Sequence, residues 1–310
     1  MLHHMSRSSV SQGLWTKTLS VSSSLNRSGF NRIQTHFPAS RNFSSSKNNT
    51  FEEIRLDSIS DTITKLTLNR PHRANAIGRQ MLDELQQAVS ILSSPSSSNV
   101  RCVILTSSHE KVFSAGADLK ERSKMTQTEA SEFVTSLRNT MNTLENLPIP
   151  LISSVNGAAL GGGLEIALTS DIIVASKDSS FGAPETSIGI IPGAGGSQRL
   201  PRLIGKARAK ELIFSARRID ANTAYEYGLV QYVEDCCDEK AIELAHEIAK
   251  NAPIALRAAK EAINNGLQVS NLNDAMEIEK KNYEKVLSTE DRLEGLAAFR
   301  EKRQPEFQGK

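Results

Sequence analysis

The sequence predicts an α/β fold, a core of β-β-α repeats followed by a helical C-terminal part. Three observations predict it. Short apolar stretches of strand character recur between Ile54 and Ala175 and thin out after about residue 196. Apolar residues at helical spacing separate them. From residue 206 onward helical patterns predominate. With 310 residues, 38% hydrophobic and 23% charged, the chain has the composition of a globular protein and the length to bury a real core.

The elements follow in order. Ile54, Leu56 and Ile59, then Ile63, Leu66 and Leu68, alternate with polar residues as paired strands do, and Asn69-Arg70-Pro71 ends the hairpin. Met81, Leu82, Leu85, Val89 and Leu92 share one helical face, and Pro95 with a run of serines breaks the chain after it. Cys102-Val103-Ile104-Leu105 reads as a buried strand. Thr126 with Glu129 forms a capping box, and Phe133, Val134, Leu137, Met141 and Leu144 carry the helix on. Leu151–Val155 and Ile172–Ala175 are further strands, and Tyr232-Val233 is the last. Helices are expected over 206–214, 238–250, 253–266, 272–287 and 289–301. No internal sequence repeat accompanies this pattern. The apolar runs, four residues at most, are too short for a membrane-spanning helix.

The N-terminal segment is a different material. The first fifty residues hold six Lys/Arg and thirteen Ser but no Asp or Glu, and they lack the apolar core of a secretory signal. Arg41-Asn42-Phe43-Ser44 resembles a mitochondrial processing site cut after Phe43. The expected division is therefore a mitochondrial transit peptide at 1–43, a core at 44–250 and a helical region at 251–310, with the matrix as destination. A basic tail with no address is the alternative. Cleavage would remove five of the 37 basic residues and leave 32 against 35 acids, a net charge of −3, which suits nucleic acid poorly.

Composition excludes several site types. Three cysteines, two of them adjacent, make neither a disulfide framework nor a CxxC zinc site, and they suit a reducing compartment. His72, His109 and His246 are scattered beyond the leader, so no multi-His metal site is expected. Gly193-Ala194-Gly195-Gly196 lacks the spacing of a dinucleotide fingerprint, and neither a phosphate loop nor a nucleophile elbow is present.

The informative feature is glycine at strand-to-helix junctions. Asn156-Gly157-Ala158-Ala159-Leu160-Gly161-Gly162-Gly163-Leu164-Glu165 follows a strand and opens a helix, whose first N–H groups suit an anion or a developing oxyanion. Close packing of the helix on a sheet would explain the same glycines. Phe113-Ser114-Ala115-Gly116-Ala117-Asp118-Leu119-Lys120 is a second exposed-backbone element, also readable as a tight turn. Two carboxylates accompany these elements. Glu165 lies one turn into the glycine-opened helix, and Glu185 follows Phe181-Gly182-Ala183-Pro184. Carboxylates among apolar residues have raised pKa values and can exchange protons near neutrality; a solvated or salt-bridged side chain is the alternative for each.

Ser114–Lys120, Asn156–Glu165 and Ile191-Pro192-Gly193-Ala194-Gly195-Gly196-Ser197-Gln198-Arg199-Leu200 together resemble the crotonase (enoyl-CoA hydratase/isomerase) superfamily, over a span from about Phe51 to the end. Leu119–Arg122, Glu211–Arg217 and Asp291–Leu296 most resemble its mitochondrial methylglutaconyl-CoA hydratases, among them an AU-rich-RNA-binding homologue. The resemblance implies a crotonase-type spiral of β-β-α repeats, a helical C-terminal trimerisation region and a homotrimer or homohexamer. It implies syn addition of water to a 2-enoyl-CoA to give a 3-hydroxyacyl-CoA, in fatty-acid or branched-chain amino-acid catabolism. Enoyl-CoA isomerisation and RNA binding with residual hydratase activity are the rivals. Ala117 and Gly162 would supply the oxyanion N–H groups, Ala117, Asp118, Leu119, Lys120 and Gly162 would bind the acyl-CoA, and Glu165 and Glu185 would be the catalytic acids. No metal or redox cofactor is implied, because CoA arrives on the substrate. Phe299 and Lys302 are weaker candidates for reaching CoA. The early helix departs from the RNA-binding pattern: Arg79–Ala88 has one basic residue and two acids, so no nucleic-acid partner is expected.

Overall fold

The computed structural model describes residues 51–94, 97 and 99–310. The expectations for the leader and for Pro95 fall outside the described residues. β1 (Ile54–Ser60) and β2 (Ile63–Leu68) form the antiparallel hairpin that their alternation predicts. α1 (Arg79–Ser93) buries the face that carries Met81, Leu82, Leu85, Val89 and Leu92. Three β-β units follow. They are β3 (Cys102–Ser107) with β4 (Val112–Ser114), β5 (Leu151–Val155) with β6 (Ala158–Leu160), and β7 (Ile172–Ser176) with β8 (Ser180–Gly182).

In each unit the first strand joins a six-stranded sheet, ordered β1-β2-β3-β5-β7-β10, and the second joins a four-stranded sheet, ordered β4-β6-β8-β9. Within each sheet the units stack in parallel, with one irregularity between Val112 and Ser114 where β4 meets β6. Each unit thus makes one turn of a spiral with a strand in each sheet, which is the architecture the resemblance implies. α2 (Leu119–Arg122) and α3 (Gln127–Glu145) connect the first unit to the second, and α4 (Gly162–Ala167) connects the second to the third. The Thr126–Glu129 capping box opens α3 as expected.

After the spiral come α5 (Gly196–Ile204), α6 (Lys206–Ser215), β9 (Arg218–Asp220), α7 (Ala221–Glu226) and β10 (Tyr232–Glu234). The last stretch is helical: α8 (Cys237–Ala249), α9 (Pro253–Gly266), α10 (Leu272–Leu287) and α11 (Glu290–Glu301). No helix among the described residues is long and apolar enough to cross a membrane.

The sequence reading lacks β4, β6, β8 and β9. Each is only three residues long, too short to display a period of two. One consequence is a correction. The run from Asn156 does not pass straight from strand into helix, because β6 and the turn at Gly161 intervene.

Burial in the large sheet follows the two-residue period. Val103, Leu105 and Leu151 face the main core with α1 and α3. Cys102, Ile104, Ile152 and Val174 face the opposite side, where Cys237, Ala241, Leu244 and Ala245 of α8 cover them. With both faces covered, the central strands are apolar or fully buried throughout, as parallel sheets require. α9 is fastened to the core by Lys260, whose ammonium donates to Ile149 O at 3.1 Å and to Asp171 Oδ2 at 2.8 Å.

Candidate active site

The C-terminal ends of the repeat strands open onto a cavity of about 1040 Å³. Ala117, Leu119, Gly162, Glu165 and Glu185 all line it. One wall begins at Ser114. Its hydroxyl donates to Asn75 O at 2.7 Å and accepts from Gly116 N at 3.2 Å, which holds the turn after β4. Gly116 takes a φ of +86°, and a Cβ there would lie 2.6 Å from Leu160 O, so only glycine fits. Ile77 pairs with Ala117 in a parallel bridge, accepting from Asp118 N at 3.0 Å and donating to Gly116 O at 2.8 Å. In that geometry the N–H of Ala117 points away from Ile77.

The second wall is the start of α4. Gly161 has φ +52° and donates to Gly182 O at 2.9 Å. Gly163 has no room for a side chain, because a Cβ would collide with the backbone oxygen of Ser114. Gly162 is different. A Cβ there would meet its nearest atoms, Ala117 N and the Ile77 side chain, at 3.4 Å, an ordinary contact. The triplet therefore divides its work: a left-handed turn, an N–H and a close approach. Among the described residues neither the Ala117 N–H nor the Gly162 N–H has an acceptor. Two adjacent, unengaged N–H groups, one at a helix start, can hold a developing oxyanion.

Glu165 is only 4% exposed. Its Oε1 accepts from Ala194 N at 2.8 Å and Gly196 N at 2.7 Å, so the loop before α5 grips the carboxylate. Burial pushes the Glu165 carboxyl above its ordinary range against these N–H bonds and the nearby Arg199 and Arg138 charges. Glu185 sits on a single 3-10 turn, Pro184–Ile188. Its carboxylate lies against Gly161, where a Cβ would be 3.1 Å from its Oε1. Its Oε2 is buried with no hydrogen-bond partner among the described residues. Burial, with the Glu165 charge adding to it, pushes the Glu185 carboxyl up to about 7. The cavity thus holds one carboxylate stabilised by two donors and one that is half protonated near neutrality. That pairing can accept a proton at one point of a substrate and deliver one at another.

Asp118 and Lys120 do not line the cavity. Asp118 caps α2 by accepting from Lys120 N at 3.0 Å and Glu121 N at 3.2 Å, and it pairs with Arg70 at 2.9 Å. Burial pushes its carboxyl up, but the Glu121 N–H and Arg70 hold it below the usual range. Its side chain supports the turn that presents Ala117. Phe299, 87% exposed, and Lys302 lie on and just past α11 and do not line this cavity either.

Two further arginines belong to the site: Arg199 lies within the motif that carries the resemblance but without a role read for it, and Arg138 has no sequence signal. Arg199 Nε bonds Glu145 at 3.0 Å and its NH1 bonds Ala194 O at 2.9 Å. Arg138 Nε donates to Gly193 O at 3.0 Å. Both fasten the loop whose N–H groups hold Glu165. A lone arginine in a helix looks solvated until the facing loop is known. The run Gly193–Gly196 was the available clue, since glycines let those N–H groups converge on one oxygen.

Comparison with known proteins bears on this geometry. The family model for enoyl-CoA hydratase/isomerase matches residues 58–310. The mitochondrial methylglutaconyl-CoA hydratase of Mus musculus is 44% identical over 274 residues, 86% of each chain. The mitochondrial enoyl-CoA hydratase domain-containing protein 2 of Mus musculus is 44% identical over 254 residues, covering 80% of this chain and 85% of its own. The crystal structure of an enoyl-CoA hydratase from Bacillus anthracis superposes with a TM-score of 0.81 at 49% identity, covering 83% of this chain and all of that one.

Proposed function

The chain belongs to the enoyl-CoA hydratase/isomerase family, and from that premise we propose that it is a hydratase, adding water across the double bond of a 2-enoyl-CoA. The observation that carries the choice is the pair of buried acids, Glu165 and Glu185, on one cavity with the unengaged N–H groups of Ala117 and Gly162. A double-bond shift needs one acid to move one proton. Hydration needs a held water as well as a proton delivered to carbon.

In this reading the thioester oxygen sits on the Ala117 and Gly162 N–H groups, which stabilise the enolate-like charge that develops there. Glu165, its Oε1 already saturated by Ala194 and Gly196, uses its other oxygen to hold and deprotonate water. The water oxygen bonds to C3 and the C2=C3 electron pair moves toward the thioester. Glu185, protonated to a useful extent near neutrality, gives its proton to C2. Transfer of the proton from Glu165 to Glu185 through solvent restores the start. The product is a 3-hydroxyacyl-CoA, and the chain's own residues account for each proton. Crotonyl-CoA should therefore yield 3-hydroxybutyryl-CoA by product chromatography. A 3-enoyl-CoA that is only converted to the 2-enoyl isomer, with no hydrated product, would make the protein an isomerase.

RNA binding gains no support from the early helix. The sole basic residue of α1, Arg79, is paired with Glu129 at 3.0 Å, and Glu84 is turned inward onto the N–H groups of Glu53 and Ile54. Assembly as a trimer or hexamer is part of the same reading. The C-terminal helices expose Ile263, Leu267, Leu272, Met276, Tyr283 and Leu293, apolar side chains that contact between subunits would cover. A mitochondrial matrix address fits the acid-free first fifty residues and the mitochondrial relatives. Sequencing of organelle-purified protein should then start at Ser44; an intact Met1 in the cytosol would refute the address.

A further inference from the structure

Glu165 is the more deeply buried of the two acids, and the groups that grip it are themselves gripped. Its Oε1 takes the Ala194 and Gly196 N–H groups, which sit in the loop before α5. One guanidinium ties that loop to α3. Arg199 NH1 donates to Ala194 O at 2.9 Å, while Nε and NH2 donate to Glu145 Oε2 at 3.0 and 2.7 Å. NH2 also reaches Asn142 Oδ1 at 2.8 Å. Gly195, with a φ of +114°, has no room for a side chain, because the guanidinium lies where its Cβ would be. The Arg199 side chain is 10% exposed and that of Glu145 is 39% exposed. A cation this buried acts on its neighbours with little screening, and its counter-charge is the more hydrated partner.

Ala194 spans the gap between cation and base. Its carbonyl accepts from Arg199 and its N–H donates to Glu165, so guanidinium and carboxylate are no more than roughly 10 Å apart. At that separation in a partly buried wall, one unit charge moves the titration of a carboxyl by about 0.5–1 pH unit. Among the described residues, the charged groups facing Glu165 come from three elements. α3 supplies Arg138, on Gly193 O, and Glu145. α5 supplies Arg199, and the turn Pro184–Ile188 supplies Glu185. Arg122 of α2 and Arg202 of α5 line the same cavity, the latter engaged with Gln198. Burial pushes the Glu165 carboxyl up; the two loop N–H groups oppose it, and then the Arg199 and Arg138 charges.

We propose that Arg199 is a positioning residue for Glu165, aiming the loop N–H groups at it and supplying a charge that keeps it ionised, and that Glu145 sets how much of that charge the base feels. The proposal rests on the hydratase reading, in which Glu165 accepts a proton from water. The two partners then act in opposite directions. Without the cation the carboxylate is disfavoured and Glu145 is left as an uncompensated negative charge, so Glu165 keeps its proton to higher pH. Without Glu145 the Arg199 charge is unmasked, so Glu165 gives up its proton at lower pH. A mere fastener has no such reversal of sign: loss of either half of the ion pair would loosen the loop in the same sense.

The test is the pH dependence of kcat for crotonyl-CoA hydration in wild type, Arg199→Gln, Arg199→Lys and Glu145→Gln, with circular dichroism to confirm the fold. The acid limb of the profile reports the apparent ionisation of the base. Arg199→Gln should move that limb up by about 0.5–1 pH unit. Glu145→Gln should move it down, by about half as much, because its carboxylate is the better hydrated of the pair. Arg199→Lys keeps the charge but not the fork and should recover part of the shift. KM for crotonyl-CoA should stay close to wild type throughout. A kcat lowered equally at every pH, with the limb in place, would make Arg199 a fastener and overturn the proposal. Shifts of the same sign in Arg199→Gln and Glu145→Gln would overturn it too, as would a raised KM with an unmoved limb. Should Arg199→Gln fail to fold, Glu145→Gln decides alone, and an acid limb that stays or rises rejects the proposal. A wild type that hydrates crotonyl-CoA while the variants fail these comparisons leaves the hydratase reading standing. One that does not hydrate it rejects both.

Discussion

Glu165→Gln and Glu185→Gln are each expected to lower the rate of crotonyl-CoA hydration by roughly 10²–10⁴-fold, the range for a positioned general acid or base. Glutamine keeps the size of each side chain and a carbonyl for hydrogen bonding, but it cannot titrate. At position 165 that carbonyl can still accept from Ala194 and Gly196, so the loop should stay in place while the base is lost. Both acids serve one addition, so the double variant should lose much less than the product of the two single losses. The decay of the enoyl-thioester absorbance measures all three. A wild-type rate in either single variant would sink the paired-acid mechanism.

The Glu185 variant carries a second, opposite signature. The folded carboxyl titrates at about 7 against 4.5 as its ordinary value, so the folded state binds more protons than the unfolded state between those two pH values. Stability therefore falls as pH rises from about 4.5 through 7 and is level above. Glutamine has no such dependence. Glu185→Gln should match wild type near pH 4 and exceed it at pH 8 by up to about 3 kcal/mol in denaturant unfolding. A variant that is dead in catalysis yet more stable at pH 8 is what a strained catalytic acid produces. Loss of stability at both pH values would mean that Glu185 is structural.

Gly162→Pro should lower turnover by about 10²–10³-fold, the usual loss for one oxyanion donor. Gly162 is the first residue of α4, the helix position that proline tolerates best, and the space around it admits a Cβ. The substitution removes the N–H at a helix position that accepts proline. Gly162→Ala keeps the N–H and should retain most activity, whereas Gly163→Ala should damage the fold, because its Cβ would strike the Ser114 backbone. Initial rates and thermal denaturation of the three proteins separate these cases. Near-normal turnover in a folded Gly162→Pro variant would make Gly162 a packing residue.

The sequence by itself determined the long elements and singled out the two acids, Glu165 and Glu185, that line one cavity. Amphipathic periods of six to nineteen residues are local properties, so β2, α1, α3 and α8 through α10 were legible with ends accurate to a residue or two. The motifs around Ala117, Gly162 and Glu165 were legible because glycine and alanine are scarce choices at a junction unless the backbone is needed. Only the tertiary structure decided the rest. The three-residue strands of the small sheet exist because neighbouring turns of the spiral supply their hydrogen bonds, which no local pattern encodes. Which glycine is steric and which is a donor depended on Ser114 and Leu160, nearly fifty residues from the triplet in one case. Asp118 and Glu165 are both acids beside glycines in the sequence. One is held ionised under Arg70 and two N–H groups, and the other is pushed up by burial, because charge and solvent exclusion act through space rather than along the chain.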